Sequence, residues 1–458
     1  MRVLLVYPPS QSLYGLPRFP MVGLTYLGTV LKKNGIDVEV LDMRIPRYNY
    51  RILKGKIRSF DPDIVGVGSS SFDFPNAKKV LKLVKKVNSS TRTVLGGPHA
   101  SICPEDVSKE KEINYVFLGE GEEEFIKFLL SKPKNKKFIN PQRLPVQNLD
   151  SLPFPQWDIF SLDDYRVRGK LTLPILTSRG CPYNCIYCSS WWTQGKKFRF
   201  RSPGNVVDEI ENDIKYYGVA NFSIVDDNFA LDIERAIDIC REIIKRQLKI
   251  TWSCDQGMRA DRSNKKLFRL MKKSGCNLVA LGVEHADQEI LDKMQKAESV
   301  KVIRESIANA KAAGLIVKAF FIVGGPGDNL EKTRKSISFF KETGVDIPRF
   351  SMMTAYPGTA MWDWVENYGK FIGNPYKRFL KRAPDYEEVQ FETNDFPKEE
   401  RIKAFQMAEK ESEVWMIRQK LFKKIGPLTY LFLPIFRLDF VREFLKLLYR
   451  IRLVSPTD

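Results

Sequence analysis

Three thiols stand close together in the run Cys181-Pro182-Tyr183-Asn184-Cys185-Ile186-Tyr187-Cys188. Crowded thiolates point to a bound metal. A structural zinc site uses four nitrogen or sulfur ligands as a rule. This stretch supplies three, with no fourth cysteine or histidine nearby. Three soft thiolates suit a four-iron cluster that keeps one iron open. An open iron can chelate the amino and carboxylate groups of S-adenosylmethionine. One electron entering the sulfonium can then break its C–S bond and leave a 5′-deoxyadenosyl radical. Such a step has to be carried by a cofactor. The competing reading is zinc, or cysteines that are neighbours by chance.

Cys103, Cys240, Cys254 and Cys276 are scattered and read as buried small hydrophobes. Cys254, at a predicted strand end, is the one that could do more. Seven cysteines, three of them crowded, fit a reducing cytosol and one metal site rather than a disulfide framework.

The elements that must position the cysteines form an alternating series. Predicted strands are Ile175–Thr177, Phe222–Val225, Thr251–Ser253, Leu278–Val283, Val317–Val323 and Phe350–Thr354, with helical patterns such as Val206–Lys215 and Ala236–Arg246 between them. Six βα units predict a partial (β/α)6 barrel over 169–385, with its chemistry at the carboxyl ends of the strands. The cysteine run follows the first of those strands.

An earlier series fills 1–132. Val3–Tyr7, Val38–Leu41, Ile64–Val67, Thr93–Leu95 and Tyr115–Leu118 read as strands, with helices at Leu24–Lys33 and Ala77–Val87. This predicts a Rossmann-like doubly wound α/β domain, whose ligand sits beyond the carboxyl ends of the strands. Those ends carry Tyr7-Pro8, Ser69-Ser70, Gly96-Gly97-Pro98-His99 and Gly119-Glu120-Gly121-Glu122. Small residues there let a bulky ligand approach the backbone. Between the two series, 133–168 is rich in Lys, Pro and Asn and reads as a linker pinned by Leu152–Trp157.

The residues 386–458 read as helical. From Trp415 an apolar face, including Phe432, Phe436, Phe440 and Phe444, alternates with Lys and Arg, as in a helix lying in a membrane surface or docked on protein. No run is long enough to span a bilayer, and no signal peptide is expected at Met1–Tyr7. The net charge of +19 is high. Nucleic acid, an anionic membrane or acidic small molecules could each account for it. No nucleic-acid motif accompanies it, so no nucleic-acid partner is expected.

The cysteine spacing after a barrel strand resembles the radical-SAM superfamily. The N-terminal half resembles the cobalamin-binding domain fused ahead of that barrel in a large subgroup. Further matches are Arg201-Ser202-Pro203, Asp226-Asp227-Asn228-Phe229, Gly282-Val283-Glu284, Gly324-Gly325-Pro326-Gly327 and Tyr356-Pro357-Gly358-Thr359. The resemblance implies a [4Fe–4S] cluster on Cys181, Cys185 and Cys188, S-adenosylmethionine, and cobalamin. It places Tyr187, Asp226, Asp227, Glu284, Gly324, Gly325 and Gly327 near S-adenosylmethionine. It places Tyr7, Pro8, Ser69, Ser70, Gly96, Gly97, His99, Gly119 and Gly121 near cobalamin. His285 is a candidate for substrate contact or proton transfer at the barrel mouth, or for a structural role. His99 divides between a corrin contact and a loop histidine bonded to backbone.

Two departures stand out. The first strand is followed by Tyr7-Pro8-Pro9-Ser10-Gln11-Ser12, with no D-x-H-x-x-G motif, so cobalamin would bind without a histidine below cobalt. His285 follows Glu284 where a small hydroxyl residue is more usual. The implied activity is methyl transfer to an unactivated carbon of a small-molecule or lipid substrate, fed by an external flavodoxin- or ferredoxin-type electron donor in the cytoplasm. The alternatives are ring closure or rearrangement without methyl transfer, and a non-catalytic cobalamin-binding protein.

Overall fold

The computed structural model describes residues 1–10, 17–131, 137–376 and 389–426. It divides into two compact units. The first is built mainly from Met1–Pro182 and Ser189–Val219, the second from Tyr183–Cys188, Ala220–Pro375 and the C-terminal residues.

In the first unit the strands β1 (Arg2–Tyr7), β2 (Asp37–Asp42), β3 (Ile64–Gly68), β4 (Arg92–Gly96), β5 (Tyr115–Phe117) and β6 (Phe138–Ile139) form one sheet in the order β2-β1-β3-β4-β5-β6. All neighbours are parallel. Parallel strands buried on both faces need continuous apolar runs, and Val3-Leu4-Leu5-Val6 is such a run, fully buried. Helices α1 (Val22–Lys33), α2 (Tyr50–Phe60) and α3 (Phe74–Val87) make the crossovers. The side chain of Asn49 caps α2 by accepting from the N–H groups of Arg51 and Ile52. The order reverses between β1 and β3, and ligands of such sheets bind at that switch point, beyond the carboxyl ends of the strands.

The predicted linker is part of this unit rather than a free spacer. Trp157 and Tyr165 are fully buried. Gln156 N–H donates to Thr29 Oγ1 at 2.8 Å, and Tyr165 OH donates to Asp42 at 2.8 Å. The unit also takes in β7 (Thr172–Ile175), β8 (Ser178–Arg179), β9 (Arg199–Phe200) and helix α8 (Pro203–Tyr217), the last starting on a Ser202 cap with Pro203 in its first turn. The first unit therefore runs past residue 168: buried Trp157 donates to Asp213 of α8, and Arg199 of β9 pairs with Glu120. The strand expected at Ile175–Thr177 lies slightly earlier.

In the second unit β10 (Asn221–Ile224), β11 (Thr251–Met258), β12 (Cys276–Glu284), β13 (Ile316–Val323) and β14 (Ile347–Met352) are consecutive parallel neighbours. Helices α9 (Ile233–Lys245), α10 (Lys265–Lys273), α12 (Val300–Ala312) and α13 (Leu330–Thr343) connect them, as the barrel pattern requires. On β13 alternate residues Val317, Ala319, Phe321 and Val323 are buried, while Lys318, Phe320 and Ile322 face the less buried side.

After β14, helix α14 (Ala360–Tyr368) is followed by an antiparallel ribbon of Lys370–Phe371 with Phe391–Glu392, which the sequence pattern did not indicate. The helix Lys398–Ile425 then packs on α13 and β14. In it Trp415 is buried, with Nε1 donating to the carbonyl of Val345 at 2.7 Å. The rest of the basic apolar tail, from residue 427, lies outside the described residues. No described helix is long and apolar enough to cross a membrane.

Candidate cofactor sites at the strand ends

None of the seven cysteines is in a disulfide. Cys103, Cys240, Cys254 and Cys276 are buried, and Cys181, Cys185 and Cys188 are half-buried. Burial pushes the thiols of Cys103 and Cys240 up to about 12. Those two are inert packing groups, and Cys254 is driven the same way by its desolvation and by Cys276.

The loop Tyr183–Cys188 is held through Ile186. Its N–H donates to the carbonyl of Met294 at 3.1 Å, and its carbonyl accepts from Met361 N–H at 2.9 Å. The Ile186 side chain is buried among Ile290, Met294, Met353, Met361 and Phe391, with Tyr187 packed against the same cluster. Cys188 N–H donates to the Cys185 carbonyl at 3.1 Å, a tight turn that sets the spacing of the last two thiols. Among the described residues no three His, Cys, Asp or Glu side chains converge as a ready ligand set. The fit to a four-iron cluster rests on the donors, three soft thiols within eight consecutive residues, none of them in a disulfide.

Beyond β12 the chain makes a three-residue turn. His285 N–H donates to the carbonyl of Val283 at 2.8 Å, and Glu284 between them has φ +61°. Non-glycine residues adopt such a backbone where surrounding structure enforces it. The enforcing group is Lys296, whose Nζ lies 3.2 Å from Glu284 Oε1 and 3.3 Å from Glu298 Oε2. Burial works against the Lys296 ammonium, but Glu284 and then Glu298 outweigh it and hold it charged. A β-carbon at Gly282 would come within 2.7 Å of Glu284 Oε1 and 2.9 Å of Lys296 Nζ, so this motif glycine makes room for the pair.

Arg259 extends the same network. It donates to the carbonyls of Lys296 and Ala297 at 2.7 and 2.9 Å and pairs with Asp261 at 2.9 Å. Its guanidinium stacks 3.6 Å over the ring of Tyr183, whose hydroxyl accepts from Arg262 at 2.8 Å. Lys296, Arg259 and Tyr183 were not singled out from the sequence. The one local signal was the tyrosine between two cysteines.

Asp226-Asp227-Asn228 follows β10. Asp226 and Asn228 are buried, while Asp227 reaches solvent among close neighbours. Desolvation and the Asp226 carboxylate push Asp227 up to about 6. Neither the oxygen nor the nitrogen of the buried Asn228 amide has a hydrogen-bond partner. Buried polar groups are normally paired, so this amide fits a polar ligand such as the amino-acid end of S-adenosylmethionine.

Gly324, Gly325 and Gly327 form the turn after β13, with φ +91° at Gly324. Arg401, fully buried, donates to the Gly324 carbonyl at 3.0 Å and to Phe396 at 2.8 Å. Asp328 closes the turn by accepting from Gly324 N–H at 2.7 Å. His285 belongs to this support. It is fully buried, its Nδ1 accepts from Asp287 N–H at 3.0 Å, and its Nε2 lies 3.2 Å from Asp328.

In the first unit the switch-point residues do converge. Asp73 Oδ2 accepts from Tyr7 OH at 2.9 Å and from Ser70 Oγ at 2.8 Å. Its second oxygen is buried without a partner. Asn76 donates to the carbonyl of Pro9 at 2.8 Å, closing the loop after Tyr7-Pro8. Gly97 has φ +90°, and a β-carbon there would sit 3.0 Å from Ser69 N. His99 N–H donates to the Ser69 carbonyl at 3.1 Å, and its Nδ1 lies 3.1 Å from Ser71 Oγ. Desolvation lowers His99 to about 4, so the ring is neutral. Gly119, at φ +72°, donates its N–H to nothing on the sheet but to Ser101 Oγ at 3.0 Å. Gly121 has ordinary space around it. An orphaned carboxylate oxygen beside serines and a bare glycine turn fits a large ligand rich in amide donors, as cobalamin is.

The comparisons with known proteins agree with this arrangement. The Radical SAM superfamily model matches residues 175–340, and the B12 binding domain model matches 17–129. An uncharacterized methyltransferase, PH0819 from Pyrococcus horikoshii, is 33% identical over 385 residues, covering 80% of this chain and 83% of that protein. The anaerobic magnesium-protoporphyrin IX monomethyl ester cyclase of Rubrivivax gelatinosus is 29% identical over 387 residues, covering 78% of this chain and 68% of that protein. Among solved structures, the radical S-adenosylmethionine methyltransferase TsrM from Kitasatospora setae, with cobalamin and a [4Fe-4S] cluster bound, superposes with a TM-score of 0.70 at 19% identity, covering 83% of this chain and 82% of that one. With the cysteine loop, the doubly wound domain and a relative at this identity and coverage, the chain belongs to the radical-SAM enzyme superfamily, in the branch that carries an N-terminal B12-binding domain.

Proposed function

We propose that this protein is a cobalamin-dependent radical-SAM methyltransferase acting on an unactivated carbon of a small-molecule substrate. One observation carries the reading: a three-cysteine loop and a doubly wound domain with an orphaned polar crevice stand on one chain. The similarity to a protein named as a methyltransferase supports it. Together, a [4Fe–4S] cluster, S-adenosylmethionine and cobalamin supply one-electron C–S cleavage and a transferable methyl group when bound.

The chain's own residues hold and orient these groups. Cys181, Cys185 and Cys188 are the cluster ligands. Tyr187 packs beside them, and Asn228 with Asp226 and Asp227 meets the polar end of S-adenosylmethionine. Glu284, locked by Lys296, and the Gly324–Gly327 turn, locked by Arg401, present fixed polar atoms to the nucleoside. His285 is a positioning residue for that turn through Asp328. Tyr7, Ser70 and Asp73, with Ser69 and Gly97, line the cobalamin crevice. With His99 neutral and buried, no histidine is assigned to cobalt.

An external one-electron donor of flavodoxin or ferredoxin type and a cytoplasmic setting belong to the same reading, which the seven cysteines, none of them in a disulfide, support. Peripheral membrane contact and a lipid substrate rest on the composition of the tail alone.

A second reading is ring formation without methyl transfer, favoured by the similarity to the ester cyclase. Mass analysis separates the two. Anaerobically reconstituted protein with reductant, S-adenosylmethionine and methylcobalamin should release 5′-deoxyadenosine and a product heavier by one methylene. A product lighter by two hydrogens would establish the cyclase reading. Absence of any cluster from the reconstituted protein would sink both and leave a cobalamin-binding protein. Cys181→Ala, Cys185→Ala or Cys188→Ala should abolish deoxyadenosine release, whereas Cys240→Ala should not.

A further inference from the structure

The glutamates of Gly119-Glu120-Gly121-Glu122 do not face open space. Glu120 Oε1 accepts from Arg199 at 2.5 Å, and Oε2 accepts from Arg199 at 3.0 Å and from Val146 N–H at 2.9 Å. Arg179 Nη1 lies 3.1 Å from Glu120 Oε2, and Arg179 Nη2 donates to Glu122 Oε1 at 2.6 Å. All four side chains are buried.

The two arginines face each other. β8 and β9 pair antiparallel, and Arg179 is directly opposite Arg199. Like charges in that position repel, and burial sharpens the repulsion. Glu120 and Glu122 offset that repulsion. Burial raises the cost of an ionised Glu122, yet Arg179 more than repays it and holds the carboxyl below its usual range.

This ribbon leads straight to a thiol. Arg179 is followed by Gly180, at φ +85°, where a β-carbon would collide with the carbonyl of Lys197, and then by Cys181. Gly180 N–H points to Gln194 Oε1 at 3.4 Å, and Cys181 N–H donates to the carbonyl of Gly195 at 3.3 Å. Arg199 also donates to the Gln194 carbonyl at 2.6 Å. Both arginines thus brace the backbone on either side of Cys181.

We propose that Glu120 and Glu122 are positioning residues for the first cysteine of the cluster loop, acting through Arg179 and Arg199 rather than binding cobalamin. The proposal rests on the reading of Cys181 as a cluster ligand. It makes the glutamates of the B12-binding domain a condition for cluster assembly.

The test uses full-length Glu122→Gln and Arg179→Lys. Groups that orient metal ligands are worth about 10–100-fold in metal affinity. Iron retained after anaerobic reconstitution should reflect a loss of about tenfold or more in affinity, in both variants. The paramagnetic spectrum of the remaining reduced cluster should broaden. Hydrogen exchange of the Ser178–Cys181 segment in cluster-free protein should speed up, while cobalamin uptake and exchange in β1, β3 and β4 stay at wild-type levels. Wild-type iron content and exchange in both variants would overturn the proposal. So would loss of cobalamin with iron intact, or unfolding of both variants, because each would show a different role. Failure of wild-type protein itself to assemble a four-iron cluster would instead remove the parent reading.

Discussion

Lys296 Nζ lies 3.2 Å from Glu284 Oε1, and Glu284 holds a φ of +61°. One buried ammonium therefore fixes a carboxylate that stands on a strained turn at the end of a barrel strand. Glu298 shares the same ammonium at 3.3 Å.

Lys296→Met should leave Glu284 and Glu298 buried without their cation. Breaking such a pair from one side costs about 3–5 kcal/mol. Glu284 can relieve this by relaxing its turn, which would move it away from the nucleoside position proposed above. Titration of cluster-loaded protein with S-adenosylmethionine should show affinity lower by about tenfold, or about 1.4 kcal/mol. A lower melting temperature with unchanged affinity would place Lys296 in the packing alone.

Gly97→Ala tests the crevice of the first domain. At φ +90° a β-carbon is strained, and it would press on Ser69 N and O at 3.0 and 3.1 Å. With ψ at −170° this backbone is one that almost only glycine adopts, and it costs an L-residue about 1–3 kcal/mol. The Gly97–Ser69 contact should open, and cobalamin retained after gel filtration should fall. Gly55→Ala on α2, away from the strand ends, is the control, since its β-carbon would meet nothing within 4 Å. Equal cobalamin retention by both variants would remove Gly97 from the site.

Both sheets were legible from the sequence because buried parallel strands leave apolar runs that few other elements mimic. The cysteine loop was legible because its chemistry depends on spacing within one short segment. Lys296 and Arg401 were not. Each acts on a residue distant in sequence, Lys296 on Glu284 and Arg401 on Gly324. A lone lysine or arginine carries no mark of burial. That the linker segment belongs with the first unit was not legible, because its anchors, Thr29 and Asp42, sit far upstream. The short ribbon at Phe391–Glu392 is two residues per strand, too brief for any periodicity.

Asp213 supplies a pH dependence with a definite sign. It is fully buried on α8, one turn from Glu209, and accepts from Trp157 Nε1 at 3.1 Å. Burial, and then the Glu209 carboxylate, pushes it up from 3.8 to about 8. The folded chain therefore keeps a proton that the unfolded chain loses. Between about pH 4 and 8 the folded state binds more protons at this site, so stability from it falls as pH rises, by up to about 1.4 kcal/mol per pH unit. Above about pH 8 both states are ionised there, and the penalty stays constant. Asp213→Asn removes the titration and keeps an oxygen to accept from Trp157. The variant should melt higher than wild type at neutral and alkaline pH, with the gap widening from about pH 4 and levelling off near pH 8. Thermal melts of both proteins across that range are the measurement. A gap that stays constant with pH would show that Asp213 is ionised in the fold, balanced by the Arg201 that pairs with Glu209 at 2.5 Å.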